Sequence, residues 1–434
     1  MRVSLSYPGV EPLEVFDDNL LAVLEPRAIE PPKPVANLVE EALHHPIGSP
    51  TVEDLVTPST RTLILVDDIT RQTPAWAILP SLLTRLADRG CKPGCTKILI
   101  ASGTHALMSA QEVEKKLGPK IPREHEVNIH HWRNEESLNQ IGVTADGTRI
   151  LVNRLLREVD LVIGVGQIVP HRVMGFTGGA TIVQPGVSGG EITGHTHWLS
   201  ALFAGRQILG IAENPVRKEV ERIAQLAGLR FIVNVVMDAH HRVIHVVAGD
   251  PVAAHRAGTE FSLQVYGVDQ PDLADIVVTE SYPADYDLWQ AAKGIYSAEL
   301  AVREGGVVIM VTPCPHGVST EHPEVERLGY RGFADVKAMV ERRQISDLVA
   351  AAHLVHVGRV IRDRARGIMV SPGIDPEAQA HLGFESASTP QRALEMAFRI
   401  AGPRAKVAVL RHGGDVLPLL EGQRAKVGRL RDEG

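Results

Sequence analysis

Short runs of apolar, largely β-branched residues recur along the chain, and stretches with a helical pattern separate them. Most runs have about four to eight residues, which is too short for a buried helix and suits a strand covered on both faces. Strands of this kind, connected through helices, pair in parallel. The pattern therefore predicts an α/β fold built from mostly parallel sheets.

The predicted strands form two series along the chain. The first series is TLILVDD (62–68), TKILIAS (96–102), LVIGVGQIV (161–169), LRFIVNVVM (229–237) and RVIHVVAG (242–249). The second is ADIVVTE (274–280), GGVVIMVT (305–312), HLVHVG (353–358), GIMVS (367–371) and KVAVLR (406–411). Helices are predicted between them, among others at 77–90, 109–118, 288–305 and 389–402.

The length of 434 residues exceeds what one hydrophobic core usually supports, so two domains are expected. The break between the two strand series falls near 268–272. We expect an N-terminal domain over 1–268 that carries the cofactor and the catalytic groups, and a C-terminal α/β domain over 272–404. Residues from about 405 to 434 are expected to pack back on the first domain. A cleft between two layered domains is the natural place for an active site.

Composition excludes several classes of protein. A net charge of −7 and a pI near 6.3 give no basic footprint for nucleic acid. No apolar run reaches membrane-spanning length, and the N-terminus lacks the basic start and apolar core of a signal peptide. Cys91, Cys95 and Cys314 cannot form a disulfide framework, and no role is assigned to them. We therefore expect a cytoplasmic protein with reduced thiols.

Polar residues collect where three predicted strands end. DDITRQTP (67–74) follows the first strand, His105 follows the second, and His171 follows the third. Each has an ordinary alternative, because acidic turns cap helices and single loop histidines form structural hydrogen bonds. Ligands of open parallel sheets bind outside the carboxyl ends of the strands. If the three loops open on one edge of one sheet, they favour a binding site there.

The most unusual stretch is HRVMGFTGGATIVQPGVSGGEITGHTH, residues 171–197, which contains seven glycines. FTGGAT and PGVSGG resemble a phosphate cradle, in which backbone N–H groups approach an anion closely. The stretch matches neither the P-loop nor a complete dinucleotide fingerprint, so a mononucleotide fits better than ATP or NAD. The H-x-H pair of His195 and His197 is a weak metal signal that requires an extended backbone.

Five ordered blocks carry a resemblance to a known family: DDITRQTP, SGTH, PHRVMGFTGGATIVQPGVSG, GHTH and DLWQAAKG, between residues 67 and 294. Together they resemble the lactate racemase family, the nickel-pincer nucleotide enzymes. The resemblance implies an isomerase acting on 2-hydroxy acids by transient hydride transfer. It also implies a cofactor, pyridinium-3,5-bisthiocarboxylic acid mononucleotide with bound nickel, and the proteins that synthesise it as partners in the cell.

The resemblance also implies roles for individual residues. His105 and His171 match the two catalytic acid–base histidines, and His197 matches the histidine ligand of nickel. The substrate-binding positions are Arg71, Gln290 and Lys293. The cofactor-binding positions are Asp68, Thr70, Gly178, Gly179, Thr181, Gly186, Ser188 and Trp289.

One position departs from the family pattern. Founding members carry a lysine in the glycine loop that is joined covalently to the cofactor, whereas this chain has Thr181 there. A hydroxyl does not form that amide-type link, and no other lysine occurs between His171 and His197. We therefore expect a nucleotide that is held non-covalently.

Several readings of the function remain open. The leading one is a racemase of small, lactate-like 2-hydroxy acids. The alternatives are a C2-epimerase of a sugar acid with the same cofactor, a non-catalytic carrier of the nickel nucleotide, and a hydrolase with zinc at His195, His197 and Asp68. The rest of the substrate pocket has only weak candidates in the second domain, namely His316, Tyr330, Arg331 and His353.

Overall fold

The structure is a computed structural model that describes residues 1–319 and 321–420. Its strands are β1 (Arg2–Val3), β2 (Leu13–Glu14), β3 (Leu20–Leu24), β4 (Thr62–Asp67), β5 (Thr96–Ala101), β6 (Glu126–Ile129), β7 (Leu138–Val143), β8 (Arg149–Asn153), β9 (Leu161–Gln167), β10 (Pro170–His171), β11 (Gly175–Phe176), β12 (Leu229–Met237), β13 (Val243–Gly249), β14 (Gly267–Gln270), β15 (Ala274–Glu280), β16 (Val302–Val311), β17 (Arg366–Val370), β18 (Glu385–Ser386), β19 (Val407–Leu410) and β20 (Leu417–Leu420). Its α-helices are α1 (Val35–His44), α2 (Ala75–Asp88), α3 (Ala110–Leu117), α4 (Ile121–Glu124), α5 (Gly190–Ala201), α6 (Pro215–Leu226), α7 (Ala253–Tyr266), α8 (Leu288–Ala291), α9 (Lys293–Ala301), α10 (Glu324–Leu328), α11 (Phe333–Glu341), α12 (Leu348–Gly358), α13 (Pro376–Leu382) and α14 (Pro390–Ala401).

The chain divides into two compact units. The first unit comprises residues 28–196 and 212–265, and the second comprises 1–27, 197–211 and, among the described residues, 266–420. Each unit has its own sheet and its own core. The predicted fold class, two α/β domains with mostly parallel sheets, is confirmed.

The sheet of the first unit has the strand order β13-β12-β9-β4-β5-β6. All neighbours pair in parallel except β12 and β13 at one edge. Every residue of β4 and β9 is buried, as expected for central strands covered on both faces. Among the helices, α3 begins with a capping box in which Ser109 and Glu112 exchange hydrogen bonds, so its start follows from local sequence.

The second unit contains a six-stranded sheet that is parallel throughout, in the order β18-β17-β16-β15-β19-β3. A separate parallel pair joins β14 and β20. The helix α14 begins directly after Thr389, whose hydroxyl accepts a hydrogen bond from the Arg392 N–H, and Pro390 occupies its first turn. Both features are readable in the sequence, and the predicted helix lies where it was expected.

The division of the chain differs from the expected one at both ends. β3, near the N-terminus, pairs in parallel with β19, so residues 1–27 belong with the C-terminal sheet. β19 pairs with β15, and β20 pairs with β14, so the described residues after 405 belong to the second unit, whereas they were predicted to belong with the first. The remainder of that predicted segment, 421–434, lies outside the described residues. The pairing joins segments that are far apart in the chain, so the local sequence of each segment does not reveal it.

Two predicted elements are also different. HLVHVG (353–358) was predicted as a strand and is the end of the helix α12. The Asp347 side chain caps this helix by accepting from the N–H groups of Val349 and Ala350, and nearly every residue of α12 is buried. A helix that is apolar on all sides has no amphipathic period to reveal it. The predicted helix 288–305 is α8 followed by α9, and its last residues open the strand β16.

Two expectations from composition can be compared with the structure. No described helix is both long enough and apolar enough to cross a membrane. All three cysteines carry free thiols, with Cys91 and Cys314 buried. Burial raises the pKa of the Cys314 thiol to about 12, which leaves it protonated and unreactive.

A buried carboxylate attaches the N-terminal segment to the second unit. Glu280, at the end of β15, has no exposed surface. Its Oε2 accepts the Ser6 N–H at 2.6 Å, while Oε1 accepts the Ser6 hydroxyl at 2.5 Å and the His412 N–H at 2.8 Å. A charged acceptor for three donors fixes both the N-terminal segment and the loop after β19.

We expect Glu280→Ala to lower the free energy of unfolding by about 3 kcal/mol, because it leaves buried N–H donors without their acceptor. Urea unfolding followed by circular dichroism measures this loss. The matched control is Glu385→Ala, which removes a half-exposed carboxylate paired with Arg366 and should cost less than about 1 kcal/mol. Equal losses in the two variants would contradict the anchoring role of Glu280.

Candidate active site

Three polar loops of the first unit leave the same edge of its sheet. β4 lies between β5 and β9 and is parallel to both, so the carboxyl ends of the three strands are neighbours. The loops that follow begin at Asp68, Ser102 and Ile168, and the last two lead to His105 and His171. The sequence predicted this arrangement, which is the usual position of a ligand site in a parallel sheet.

The centre of this edge is an ion pair between His105 and Asp68. The imidazole Nδ1 lies 2.7 Å from Asp68 Oδ2, and the carboxylate is almost fully buried. Thr70 donates to the other oxygen, Asp68 Oδ1, through its N–H at 3.0 Å and its hydroxyl at 2.5 Å. Because the carboxylate accepts a hydrogen bond from Nδ1–H, the imidazole has Nε2 available for proton exchange. The His105 side chain is about one-third exposed, so this exchange can reach a bound molecule.

The surroundings of Asp68 favour its ionised form. Burial by itself raises the pKa of the Asp68 carboxyl, but the charge and hydrogen bond of His105, together with Arg71 and Thr70, outweigh burial and lower it to about 2. A carboxyl with a depressed pKa stabilises the folded state above about pH 4, and this contribution is lost as the pH falls through about 2. Asp68 is therefore ionised throughout the neutral range.

The loop after β4 is fixed from its buried side. Lys116, which is almost fully buried on α3, places Nζ 2.7 Å from Asp67 Oδ1 and donates to the Arg71 carbonyl at 2.8 Å. The Thr73 hydroxyl donates to Asp67 Oδ2 at 2.5 Å. Burial raises the pKa of Asp67, and the Lys116 charge opposes that rise. At the other side of the loop, Arg71 Nη1 donates to the Thr70 hydroxyl at 3.2 Å.

The second catalytic candidate, His171, lies on a small hairpin. β10 pairs with β11 in antiparallel fashion, with His171 opposite Gly175 and Pro170 opposite Phe176. His171 is half-buried, whereas Phe176 is fully buried. The backbone of His171 is thus paired with the strand β11 on the far side of a short turn.

The glycines that follow have a packing reason. Gly178 has φ +78°, and a Cβ there would lie 2.7 Å from Ile168 Cγ1 and 2.8 Å from Asn234 Oδ1. A Cβ at Gly186 would lie 2.1 Å from the carbonyl oxygen of Ile182. Glycine is therefore required at these two positions because other atoms of the protein lie close to its Cα.

Several groups that were predicted to bind phosphate donate within the protein. The Gly179 N–H donates to Asn234 Oδ1 at 2.7 Å, and the Ser188 hydroxyl donates to the Val183 carbonyl at 2.7 Å. These two donors do not fit the role of a phosphate cradle. The binding of a nucleotide phosphate by Gly178, Gly186 or other parts of this loop stays a prediction.

Thr181 occupies a 3-10 turn, Gly179–Ile182, in the same loop. Its hydroxyl donates to the Gly178 carbonyl at 3.1 Å. The side chain predicted to stand at the position of the family's lysine is thus hydrogen-bonded to the backbone of its own loop. The residues here do not fit a covalent amide-type link.

The H-x-H pair is on a helix. His195 and His197 both lie on α5, where a separation of two residues turns them about 200° apart around the axis. His195 Nδ1 instead faces Asp146 Oδ2 at 3.2 Å. Among residues 1–319 and 321–420, no group of three or more His, Cys, Asp or Glu side chains is arranged to hold a metal ion. The zinc site predicted for the hydrolase alternative is therefore wrong.

In the second unit, Trp289 is held between two imidazoles. Its ring stacks on His322 with centroids 4.0 Å apart and on His353 with centroids 4.1 Å apart. Trp289 and Gln290 lie on α8, and Lys293 begins α9. The Gln290 N–H donates to Asp287, which caps α8. The three family positions in this segment are therefore adjacent on two consecutive helices.

The residues around Trp289 were partly missed by the sequence analysis. His353 Nδ1 and Nε2 lie 2.9 Å and 3.1 Å from the hydroxyls of Tyr296 and Tyr330. Burial lowers the pKa of His353 to about 3, so its imidazole is neutral. His322 forms an ion pair with Asp347 at 2.7 Å. Tyr330 and His353 were pocket candidates, whereas His322 and Asp347 have no sequence signal that distinguishes them.

The two other pocket candidates lie elsewhere. His316 stacks on the exposed ring of Tyr286 with centroids 3.9 Å apart. Arg331 donates from Nε to the Leu328 carbonyl at 3.1 Å, and its own carbonyl packs against Gly358. Neither residue contacts the Trp289 cluster through these interactions.

Comparisons with known proteins show which proteins this chain resembles. Residues 9–207 match a family model described as the lactate racemase N-terminal domain, and residues 269–417 match the lactate racemase C-terminal domain. A lactate racemase of Lactiplantibacillus plantarum is 32% identical over 87% of this chain and 90% of the relative. One of Thermoanaerobacterium thermosaccharolyticum is 33% identical over 65% of this chain and 66% of the relative.

Two solved structures have the same fold. The lactate racemase apoprotein from Thermoanaerobacterium thermosaccharolyticum superposes with a TM-score of 0.87 and 26% identity, covering 96% of this chain and 100% of that one. A protein from Thermotoga maritima superposes with a TM-score of 0.71 and 24% identity, covering 91% of this chain and 100% of that one, a likeness that concerns the fold alone.

The ion pair predicts a measurable coupling between Asp68 and His105. We expect the pKa of Asp68 to be about 2 and to rise in His105→Gln, because the neutral amide removes the imidazolium charge while burial remains. Carbon-13 NMR titration of the aspartate carboxyls measures both values. The control His45→Gln, at an exposed histidine, should leave the Asp68 titration unchanged. An Asp68 pKa insensitive to His105→Gln would show that the pair does not form in solution.

Proposed function

The chain belongs to the lactate racemase family, a family of isomerases, and on this basis we propose that it racemises a small 2-hydroxy acid such as lactate. The observation that carries the proposal is the Asp68–His105 pair, at the edge of the sheet where ligands bind. Racemisation breaks the bond between Cα and its hydrogen and remakes it from the other face. It also requires a base for the hydroxyl proton when that hydrogen leaves as hydride.

His105 is suited to be that base. The Nδ1–H of His105 donates to Asp68, with 2.7 Å between Nδ1 and Oδ2, so the neutral ring presents its other nitrogen, Nε2, as the proton acceptor. After the proton is taken, the ionised Asp68 stabilises the imidazolium that results. In the proposed reaction His105 removes the hydroxyl proton of one enantiomer and His171 serves the other. The support for His171 is its matched position in the family and its loop on the strand next to β4.

The cofactor in this proposal is a nickel-pincer nucleotide. When bound, the group supplies an acceptor for the hydrogen that Cα loses as hydride, which no side chain provides. The imidazole of His197 is a nitrogen donor of the kind nickel accepts, so the donor chemistry fits. Thr181 does not fit a covalent link, because its hydroxyl is bound to the Gly178 carbonyl. The residues present therefore fit a group that is held without a covalent bond and is supplied by cofactor-synthesis proteins.

The substrate carboxylate has three proposed partners. Arg71 offers a planar fork with two parallel donors, and it lies on the loop that also carries Asp68. Gln290 and Lys293 lie one helical turn apart across the junction of α8 and α9. An amide and an ammonium at these positions suit a carboxylate and a 2-hydroxyl.

We expect His105→Ala and His171→Ala each to lower kcat by about 10²–10⁴-fold, because each removes a general acid–base group, while bound nickel stays constant. Chiral chromatography of lactate and metal analysis of the same samples measure both quantities. Asp68→Asn should lower kcat as well, because the neutral amide no longer stabilises the imidazolium that forms on His105. His197→Ala should instead lose nickel. Unchanged nickel in His197→Ala would contradict the ligand assignment.

Mass spectrometry tests how the nucleotide is held. Protein made in cells that synthesise the cofactor should carry its mass under native conditions and show the bare chain mass after denaturation. An adduct that survives denaturation would overturn the argument from Thr181. Nucleotide uptake with no racemisation of lactate or other hydroxy acids would indicate a carrier. Epimerisation of a sugar acid in its place would identify the C2-epimerase alternative.

A further inference from the structure

The first unit buries a guanidinium behind the His171 hairpin. Arg217, on α6, has no exposed surface. It donates to three carbonyl oxygens of the loop: from Nε to Met174 at 3.2 Å, from Nη1 to Gly178 at 3.2 Å, and from Nη2 to Phe176. All three acceptors lie on the segment that runs from the hairpin turn into the glycine loop.

A second buried side chain holds the same segment. His255, on α7, has no exposed surface and donates from Nε2 to the Thr177 carbonyl at 2.9 Å. Burial lowers the pKa of this histidine well below its ordinary value, and the charges of Arg217 and Arg256 lower it further, so the ring is neutral. Carbonyls 174, 176, 177 and 178 are thus all bound by side chains from two helices.

Packing alone does not account for Arg217. A fully buried arginine is rare, and removing a charge from water costs several kcal/mol unless its donors are all used. Its hydrogen-bond partners among the described residues are neutral carbonyls, with Glu221 contributing only a longer-range attraction. Burial accordingly lowers the pKa of Arg217 to about 9, which still leaves it charged at neutral pH. An apolar side chain would fill the space at lower cost but would remove the three hydrogen bonds that Arg217 donates to this segment.

The hairpin connects Arg217 to the catalytic candidate. β11 consists of Gly175 and Phe176, and Arg217 binds the carbonyls of Met174 and Phe176 on either side of Gly175. Gly175 is the residue paired with His171. A shift of β11 would therefore move β10 and the imidazole with it.

We propose that Arg217 is a positioning residue that holds His171 in its catalytic place by fixing the strand β11. This inference rests on the proposed function, in which His171 exchanges a proton with the substrate. A catalytic group misplaced by about 1 Å can lower the rate on the order of 10²-fold, so loss of the Arg217 hydrogen bonds should be measurable in the kinetics. The fork of arginine spans three acceptors, whereas the single ammonium of lysine does not reproduce that geometry.

The test compares Arg217→Lys and Arg217→Met with Lys218→Met, which changes the neighbouring exposed residue of the same helix. Racemisation of lactate by holoenzyme is measured with protiated and 2-deuterated substrate. We expect both Arg217 variants to lower kcat by about 10–100-fold and to increase the deuterium isotope effect, because the hydrogen-transfer step becomes slower than binding and release. A variant that only lowers the amount of folded protein leaves the isotope effect unchanged. Lys218→Met should match the wild type.

Histidine-selective NMR gives a readout that does not require activity. In Arg217→Lys the His171 imidazole resonances should move while those of His105, which is held by Asp68 on another loop, stay in place. Arg217→Lys retains the charge, so it serves if Arg217→Met does not fold. Unchanged His171 resonances and an unchanged isotope effect, with reduced stability alone, would overturn the inference. If the wild type racemises no hydroxy acid, the proposed function fails, and the His171 resonances still decide the role of Arg217.

Discussion

The parallel pairing of β4 with β5 on one side and β9 on the other determines where the chemistry of the first unit lies. Each of these strands runs in the same direction, so the polar loops that follow must leave the same edge. Asp68 and His105 are 37 positions apart in the chain, and their side chains meet at 2.7 Å for this reason. The strands themselves are apolar and buried on both faces, so their side chains stabilise the sheet while the loops are left to carry function.

Two loops at this edge of the sheet are each held by a buried cation. Lys116 binds Asp67 and the Arg71 carbonyl, and Arg217 binds three carbonyls of the segment after His171. A buried charge contributes little to stability once its desolvation is counted, but it selects one geometry, because no other loop conformation satisfies its donors. Both cations come from helices of the same unit, so each loop is held in place by a rigid helix and not by its own turn residues alone.

The fold class and most strands follow from the sequence because buried parallel strands are short, apolar and separated by amphipathic helices. The loops after β4, β5 and β9 were also identifiable, since their polar residues directly follow such strands. The predictions that were wrong concern elements whose formation or pairing depends on tertiary contacts. α12 is apolar on every side and has no periodicity, and β3 joins the C-terminal sheet through pairing with β19 across most of the chain. Lys116 and Arg217 look like ordinary surface residues of amphipathic helices until the loops they bind are placed. The glycines were predicted to approach a ligand, but Gly178 and Gly186 approach Asn234, Ile168 and Ile182.

Under the proposed function, Thr181 affects how tightly the nucleotide is retained and not which reaction takes place. A covalently joined cofactor stays with its protein at any concentration, whereas a group held by contacts alone is bound in proportion to its free concentration and its dissociation constant. No lysine occurs between His171 and His197, so under the proposed function retention of the nucleotide would rest on a metal ligand such as His197 and on groups around the nucleotide. Binding of that kind would also stabilise the folded state by mass action. Because Arg217 and His255 already hold the glycine loop, that loop would lose less conformational freedom on binding, which would compensate in part for the absence of a covalent bond.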